Sequence, residues 1–180
     1  GKLIWDTQVN SRGGASSVLV AGERVIALID RLTAFEAKTG KKLWENPDVS
    51  GKTTSPNLWN VNGKLEIVCN SRRSVMGVDL ATGKTLWEAP AGGSSTPVVS
   101  GVHLVVHAKD ENAGIVCYHR TEEGVKEVWK FPKLTRRSDS SPIVWGNHVF
   151  LFGANMRLCL DLKTGEVLNK EIAKHDISSP

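Results

Sequence analysis

Apolar residues along the chain occur in short runs that are separated by glycines and polar turn residues. Ile143-Val144-Trp145 is followed by Gly146-Asn147 and then by His148-Val149-Phe150-Leu151-Phe152, a pattern typical of a β-hairpin. Leu158-Cys159-Leu160 and Val167-Leu168 add two further runs. No segment shows the 3.6-residue period of an amphipathic helix. The pattern therefore predicts four short antiparallel strands, A to D, within each stretch of about 40 residues.

This pattern repeats along the whole chain. Four tryptophans are spaced by 39, 43 and 42 residues, at Trp5, Trp44, Trp87 and Trp129. A serine or threonine followed by proline recurs with a similar spacing, the prolines being Pro56, Pro97, Pro142 and Pro180. Four antiparallel strands in each repeat of about 40 residues are typical of a β-propeller blade. The sequence thus predicts an all-β propeller.

A turn between strands C and D carries the most regular part of the repeat. Asp79 and Asp161 each stand four residues before a glycine, in segments that end Thr82-Gly83 and Thr164-Gly165. The carboxylate of such an aspartate accepts hydrogen bonds from amides further along, and glycine supplies the positive φ that closes the turn. In the third repeat Arg120 replaces the carboxylate. The tryptophan on strand D is expected to pack between neighbouring blades.

The segment Gly77-Val78-Asp79-Leu80-Ala81-Thr82-Gly83-Lys84-Thr85-Leu86-Trp87, repeated at this period, resembles the pyrroloquinoline-quinone (PQQ)-like propeller repeat, also called the tryptophan-docking motif. The resemblance implies four-stranded antiparallel blades, here about four blades of a ring of seven or eight. The expected blades cover roughly 16–48, 53–90, 94–132 and 139–173, with partial strands at both ends. The family contains both enzymes and binding proteins, so the fold by itself does not establish catalysis.

Composition narrows the class of protein further. The 180 residues carry a formal net charge of +4, and 40% of them are hydrophobic, as in globular proteins. The longest apolar run, Val25 to Ile29, is far shorter than the ~20 residues of a membrane-spanning helix. Three cysteines cannot all pair within the chain, and their apolar strand contexts predict free, packed thiols: Cys69, Cys117 and Cys159.

Candidate binding residues lie on the face of the propeller that carries the B–C and D–A loops. Loops on a rigid scaffold are where binding residues usually occur. Five arginines fall on or beside these loops: Arg72, Arg73, Arg136, Arg137 and Arg157. Arginine presents paired donors to carboxylates and phosphates, so this surface predicts an anionic ligand or partner. The alternative is solvated loop charge, interleaved with Asp110, Glu111 and Asp139.

No catalytic or metal-binding group is predicted from the residues. His103 and His148 each follow a repeat proline by six residues, so they mark a recurring strand position. His119 stands where other repeats have apolar residues and is expected to be packed within or between blades. His103 and His107 would be ~13 Å apart on one strand, too far to share a metal. The modest charge and the lack of interleaved aromatics argue against nucleic-acid binding.

These observations predict a non-catalytic binding or scaffold module for a protein or a small anionic ligand, with no cofactor. The family resemblance implies a periplasmic or secreted location and, as partners, the remaining blades of a parent chain. The alternative is part of a PQQ- and calcium-dependent dehydrogenase of alcohols or sugars, in which the basic face would hold the quinone carboxylates. The resemblance ties that enzyme to an adjacent cysteine pair, which this sequence lacks. A sensor domain of a larger chain is a third possibility.

Overall fold

A computed structural model describes residues 1–7, 14, 16–51, 53–108, 113–132, 140–153 and 155–172. Within these ranges the secondary structure is made of short β-strands. The first seven are β1 Leu19–Ala21, β2 Arg24–Glu36, β3 Lys42–Gly51, β4 Asn57–Val61, β5 Lys64–Asn70, β6 Ser74–Asp79 and β7 Thr85–Pro90. They are followed by β8 Val98–Ser100, β9 His103–His107, β10 Ile115–Arg120, β11 Val125–Phe131, β12 Ile143–Trp145, β13 His148–Gly153, β14 Met156–Asp161 and β15 Val167–Ile172.

The strands form successive antiparallel sheets in which chain neighbours pair with each other. The second sheet has the order β4-β5-β6-β7, the third β8-β9-β10-β11 and the fourth β12-β13-β14-β15. The first sheet has the order β1-β2-β3, and β2 has the length of two ordinary strands. Its first residues pair with β1, whereas the residues from Asp30 (φ 73) onward pair with β3. This architecture confirms the expected partial propeller of about four blades.

The hairpin expected near Gly146 is present in the fourth sheet. Trp145 and His148 are cross-strand partners, so Gly146 and Asn147 alone form the turn between β12 and β13. Gly146 has a φ of 58°, which is left-handed and favours glycine. Alternation along β13 then directs Val149 and Leu151 into the core.

The apolar core lies between the sheets rather than within any one of them. One cluster joins Ile26 and Leu28 of the first sheet to Ile67 and Val78 of the second. Two similar clusters join the second sheet to the third and the third to the fourth. Each sheet therefore buries apolar side chains on a face that meets a neighbour, which explains the many short apolar runs in the sequence.

Three of the four recurring tryptophans donate a hydrogen bond to the C–D turn of the sheet that follows them, as expected. Trp44 packs on Gly83 so closely that a Cβ at that glycine would lie 2.5 Å from Cδ2 of the indole. Its Nε1 donates to the carbonyl oxygen of Leu80 at 3.2 Å. Trp5 and Trp129 repeat both contacts with the next turn along, donating to the carbonyls of Ala37 and Leu162. The prediction that these tryptophans join neighbouring blades is confirmed.

The turn itself is held by its aspartate. Asp79 Oδ1 accepts hydrogen bonds from the backbone amides of Ala81 and Thr82 and from the Thr82 hydroxyl. The Thr82 hydroxyl is the main reason that the pKa of Asp79 lies below its usual value. Asp161 makes the same set of bonds in the fourth sheet. These bonds fix the surface on which the tryptophan of the preceding sheet packs.

In the third repeat different residues bond to the tryptophan indole and to the C–D turn. Trp87 Nε1 donates to Glu66 Oε2 at 3.0 Å instead of to a backbone carbonyl. Arg120 Nη2 lies 2.6 Å from Glu66 Oε1, and its Nη1 donates to the carbonyl of Gly124 at 2.8 Å. The Glu66 carboxylate is 1% exposed. In this repeat a buried ion pair thus supplies the acceptor for the indole of Trp87 and a donor for the turn carbonyl of Gly124.

The expectation that His119 is packed is wrong. In the third repeat the glycine at the end of the C–D turn lies seven residues after Cys117, whereas Gly83 lies six residues after Gly77. Both Cys117 and Gly77 are the cross-strand partners of a docking tryptophan, so the register is anchored there. The extra residue lies in the turn, so His119 rather than Arg120 occupies the strand position of the turn aspartate, and its side chain is exposed.

Candidate binding surface on the loop face

Arg72 and Arg73 lie in the short loop that joins β5 to β6. The loop is closed by a hydrogen bond from the amide of Ser71 to the carbonyl of Ser74, 2.7 Å long. Both arginines are exposed, whereas the serines on either side are buried. The two guanidinium groups are therefore presented to solvent from a loop whose ends are fixed.

The D–A loop that follows β7 braces this loop from one side. Asn70 is fully buried, donates from Nδ2 to the carbonyl of Ser95 and accepts from the amide of Gly92. The amide of Gly93 donates to the carbonyl of Ser71 at 2.9 Å. Gly92 has a φ of 85°, and a Cβ there would lie 2.6 to 2.7 Å from the backbone of the two arginines. Glycine is required at this position because the two loops touch backbone to backbone.

The end of β3 braces the loop from the other side. The Ser71 hydroxyl donates to the carbonyl of Ser50 at 3.1 Å, and the amide of Arg72 donates to the same oxygen at 3.2 Å. The amide of Ser50 in turn donates to the Ser71 hydroxyl. The arginine loop is thus bonded both to the first sheet and to the loop that follows β7, an arrangement that restricts its motion and lowers the entropy cost of binding.

A shallow cleft of about 320 Å³ lies beside the two arginines. Its lining combines both charge signs with hydroxyls, and consists of Asp48, Ser50, Ser71, Arg72, Arg73, Ser74, Met76 and Glu88. Asp48 accepts a hydrogen bond from the Thr85 hydroxyl at 2.8 Å, which holds its carboxylate on the cleft wall. A surface with cations and carboxylates side by side fits a partner that itself carries both donors and acceptors.

The remaining predicted arginines do not join this pair in the described part of the chain. Arg157 lies within β14 of the fourth sheet, opposite Phe152, and forms an exposed ion pair with Glu171 at 3.3 Å. Arg136 and Arg137 lie outside the described residues. The described site therefore consists of Arg72 and Arg73.

Sequence reasoning missed the residues that position the arginines. Asn70, Ser71 and Ser50 are ordinary polar residues in the sequence, and their role appears only when loops about 20 residues apart meet. The Gly92-Gly93 pair was the one available signal, because adjacent glycines indicate a backbone that must approach another closely.

The cysteines and the possible metal ligands among the described residues bear on the sequence expectations. Burial raises the pKa of the Cys69 and Cys117 thiols to about 12 in each case, so neither is a thiolate nucleophile at neutral pH. Both are free and buried, which confirms the expectation for these two, whereas Cys159 is half-buried. Among the residues that the structure describes, no three His, Cys, Asp or Glu side chains are grouped to hold a metal ion.

A second, larger cleft of about 590 Å³ opens on the opposite face, between the second and third sheets. Its lining includes Trp59, Lys64, Glu66 and Arg120. The carboxylate and guanidinium at its base bond to each other and to Trp87, as described above. These two groups are already paired within the chain, which leaves them fewer free donors and acceptors for a ligand than the exposed arginines have.

No helix in the described ranges has the length and apolar character needed to cross a membrane.

Comparison with solved structures shows the same fold at low sequence identity. BamB from Moraxella catarrhalis superposes with a TM-score of 0.74 at 14% identity, over 98% of this chain and 53% of that chain. The β-propeller domain of Cps50 (Swd1) from Myceliophteria thermophila gives a TM-score of 0.70 at 14% identity, over 95% of this chain and 59% of that one. The computationally designed Ika8 protein gives 0.66 at 15% identity, over 90% of this chain and 50% of its own.

The chain spans about half the length of these structures. No curated protein sequence matches it. A family model described as outer membrane protein assembly factor BamB matches residues 1–171, which is nearly the whole chain. With its repeated tryptophan-to-turn contacts, the chain belongs to this family of PQQ-like β-propellers.

Proposed function

We propose that the chain is part of a non-catalytic β-propeller that binds another protein through the loop face around Arg72 and Arg73, using carboxylates of the partner. The observation that carries the proposal is the braced loop: the backbone that presents two exposed arginines is fixed through the buried Asn70 and through Ser50. Arginine is also enriched in protein interfaces.

The mixed charge of the cleft favours a polypeptide over a small free anion. Asp48 and Glu88 line the same cleft as the arginines and oppose the binding of a compact anion. A protein segment can place a carboxylate on the guanidinium groups and a donor on the acidic wall. The family description, an assembly factor for outer membrane proteins, supports both a protein partner and a periplasmic location for this chain.

The quinoprotein alternative receives no specific support from the described residues. The sequence has no adjacent cysteines, and the described part of the chain holds no cluster of three or more His, Cys, Asp or Glu side chains for calcium. The proposal includes no step that uses the quinone.

The proposal is tested with the 180-residue chain and a fluorescein-labelled peptide of eight alternating aspartates and glycines. We expect fluorescence anisotropy to rise on binding and to fall as salt is added, since the contact is between exposed charges. Arg72→Ala with Arg73→Ala should weaken binding about tenfold or more, because two charge-assisted contacts are lost. Arg72→Ala with Arg136→Ala tests whether Arg136, which lies outside the described residues, contributes to binding.

A charge-matched control separates a defined site from general basicity. Arg157→Ala with Lys163→Ala removes two positive charges from exposed positions in the fourth sheet. If this control weakens peptide binding as much as Arg72→Ala with Arg73→Ala does, the proposed site is wrong. Saturable binding of inorganic phosphate that displaces the peptide would favour a small anionic ligand instead. Calcium-dependent, saturable binding of PQQ would favour the dehydrogenase alternative.

A further inference from the structure

Two histidines face each other across neighbouring strands of the third sheet. His103 begins β9, and His119 is its cross-strand partner near the end of β10. Their ring centroids are 5.7 Å apart, and the ring planes are nearly perpendicular, at 88°. His119 is exposed and His103 is half-buried, so one edge of the pair is open to solvent.

The position of the pair follows from the altered turn of the third repeat. In the fourth sheet the corresponding cross-strand partners are His148 and Asp161, where Asp161 is the turn carboxylate. The longer third turn places a second imidazole in that position. The pair lies on the face of the sheet that meets the fourth sheet, since His103 and the core residue Val105 are on the same side of β9.

We propose that His103 and His119 form a two-imidazole site for a late transition-metal ion, Cu²⁺, Ni²⁺ or Zn²⁺. Imidazole nitrogen binds such ions at about 2.0–2.1 Å, so two rings around one tetrahedral ion have centroids about 5 Å apart. A small rotation of the exposed His119 ring would shorten the observed centroid distance of 5.7 Å to that value. Nitrogen ligands suit these metals, whereas calcium and magnesium prefer oxygen.

The surroundings of the histidine pair leave room for a metal ion that has two protein ligands and otherwise binds water. Lys163 of the fourth sheet lies close enough to His103 to act on it electrostatically, so this cation must move aside when a metal ion binds. The Lys163 side chain is exposed and can turn away into solvent. Two ligands leave the other coordination positions to water, so the ion is expected to exchange readily, unlike a structural zinc ion.

The test is a calorimetric titration of the full, untagged chain with a blocked N-terminus, using Cu²⁺ and then Zn²⁺ in a non-coordinating buffer. His103→Gln and His119→Gln are each expected to weaken Cu²⁺ binding about tenfold or more, because the second imidazole binds an ion that the first already holds nearby. Electron paramagnetic resonance of the Cu²⁺ complex should show coupling to two imidazole nitrogens, and to one in either variant.

His148→Gln is the matched control, because His148 begins β13 as His103 begins β9 but faces a carboxylate instead of a second imidazole. It should leave the main Cu²⁺ affinity unchanged. The proposal is overturned if His119→Gln binds Cu²⁺ as tightly as the original chain, if the spectrum shows a single imidazole, or if His148→Gln causes the same loss. Circular dichroism of each variant checks that the sheets remain folded.

Discussion

The buried ion pair between Glu66 and Arg120 in the unusual third repeat is expected to make a measurable contribution to the free energy of unfolding. Arg120 joins strand β10 of the third sheet to Glu66 in β5 of the second, and Glu66 also accepts the indole proton of Trp87. Arg120→Met keeps much of the side-chain length but removes every hydrogen-bond donor. The change leaves the Glu66 carboxylate, which is 1% exposed, without its counter-charge.

The expected loss of stability is large because the remaining charge has no access to water. Removing one partner of a buried ion pair costs about 3–5 kcal/mol of unfolding free energy. A typical domain has only about 5–15 kcal/mol in total, so Arg120→Met should lose a large share of it. The carbonyl of Gly124 also loses a donor, which adds to the effect.

Two further variants test the reasoning. Glu66→Leu combined with Arg120→Met removes both charges, and it should cost less than Arg120→Met alone, because no unpaired charge then remains. The indole of Trp87 still loses its acceptor, which costs about 1–3 kcal/mol. Arg157→Met breaks the ion pair with Glu171, whose side chains are 50% and 60% exposed, and should cost at most about 1 kcal/mol.

The assay is urea denaturation at pH 7, followed by tryptophan fluorescence and by far-ultraviolet circular dichroism. Coincident curves from the two probes show that unfolding has two states, and the shift of the midpoint gives the change in free energy. The reasoning is refuted if Arg120→Met costs no more than Arg157→Met. It is also refuted if the double variant is the least stable of the set.

Three other predictions follow from the turns, the thiols and the turn aspartate. Gly83→Ala should lower the free energy of unfolding by about 2–5 kcal/mol, because the backbone there has a φ of +72° and the new Cβ would clash with the indole of Trp44. Gly63→Ala should lower it by only about 1–2 kcal/mol, because its φ is +83° but no atom lies within 4 Å. Equal losses in urea denaturation would contradict this prediction. Because burial raises the pKa of Cys69 and Cys117 to about 12, only the unfolded thiols ionise between about pH 9 and 12; stability should fall with pH there, and less in the two Cys→Ala variants. Asp79 has a lowered pKa, so the stability that its carboxylate adds should disappear as the pH falls below about 4. The original chain should therefore lose more unfolding free energy below that pH than Asp79→Asn does, and equal losses would contradict the role of the turn bonds.

The local elements of this protein are determined by the sequence on its own. The recurring tryptophans, the Thr-Gly turns and the hairpin at Gly146 each depend on residues close together in the chain, so the period and turn chemistry suffice to predict them. The inter-blade position of Trp44 was also predictable, because a flat apolar side chain that recurs once per blade must be buried against the next blade. The all-β fold follows from these features.

The tertiary structure alone decided which polar groups meet. Glu66 and Arg120 are 54 residues apart, and neither sequence context indicates that the two side chains form an ion pair. The arginine loop is defined by Asn70, Gly92 and Ser50, which come from three separate segments. A one-residue extension of a turn exposed His119 and placed it opposite His103, because a shift of one residue moves a side chain to the other face of a strand. Local patterns determine the strands, but only their packing determines which loops and side chains come within bonding distance.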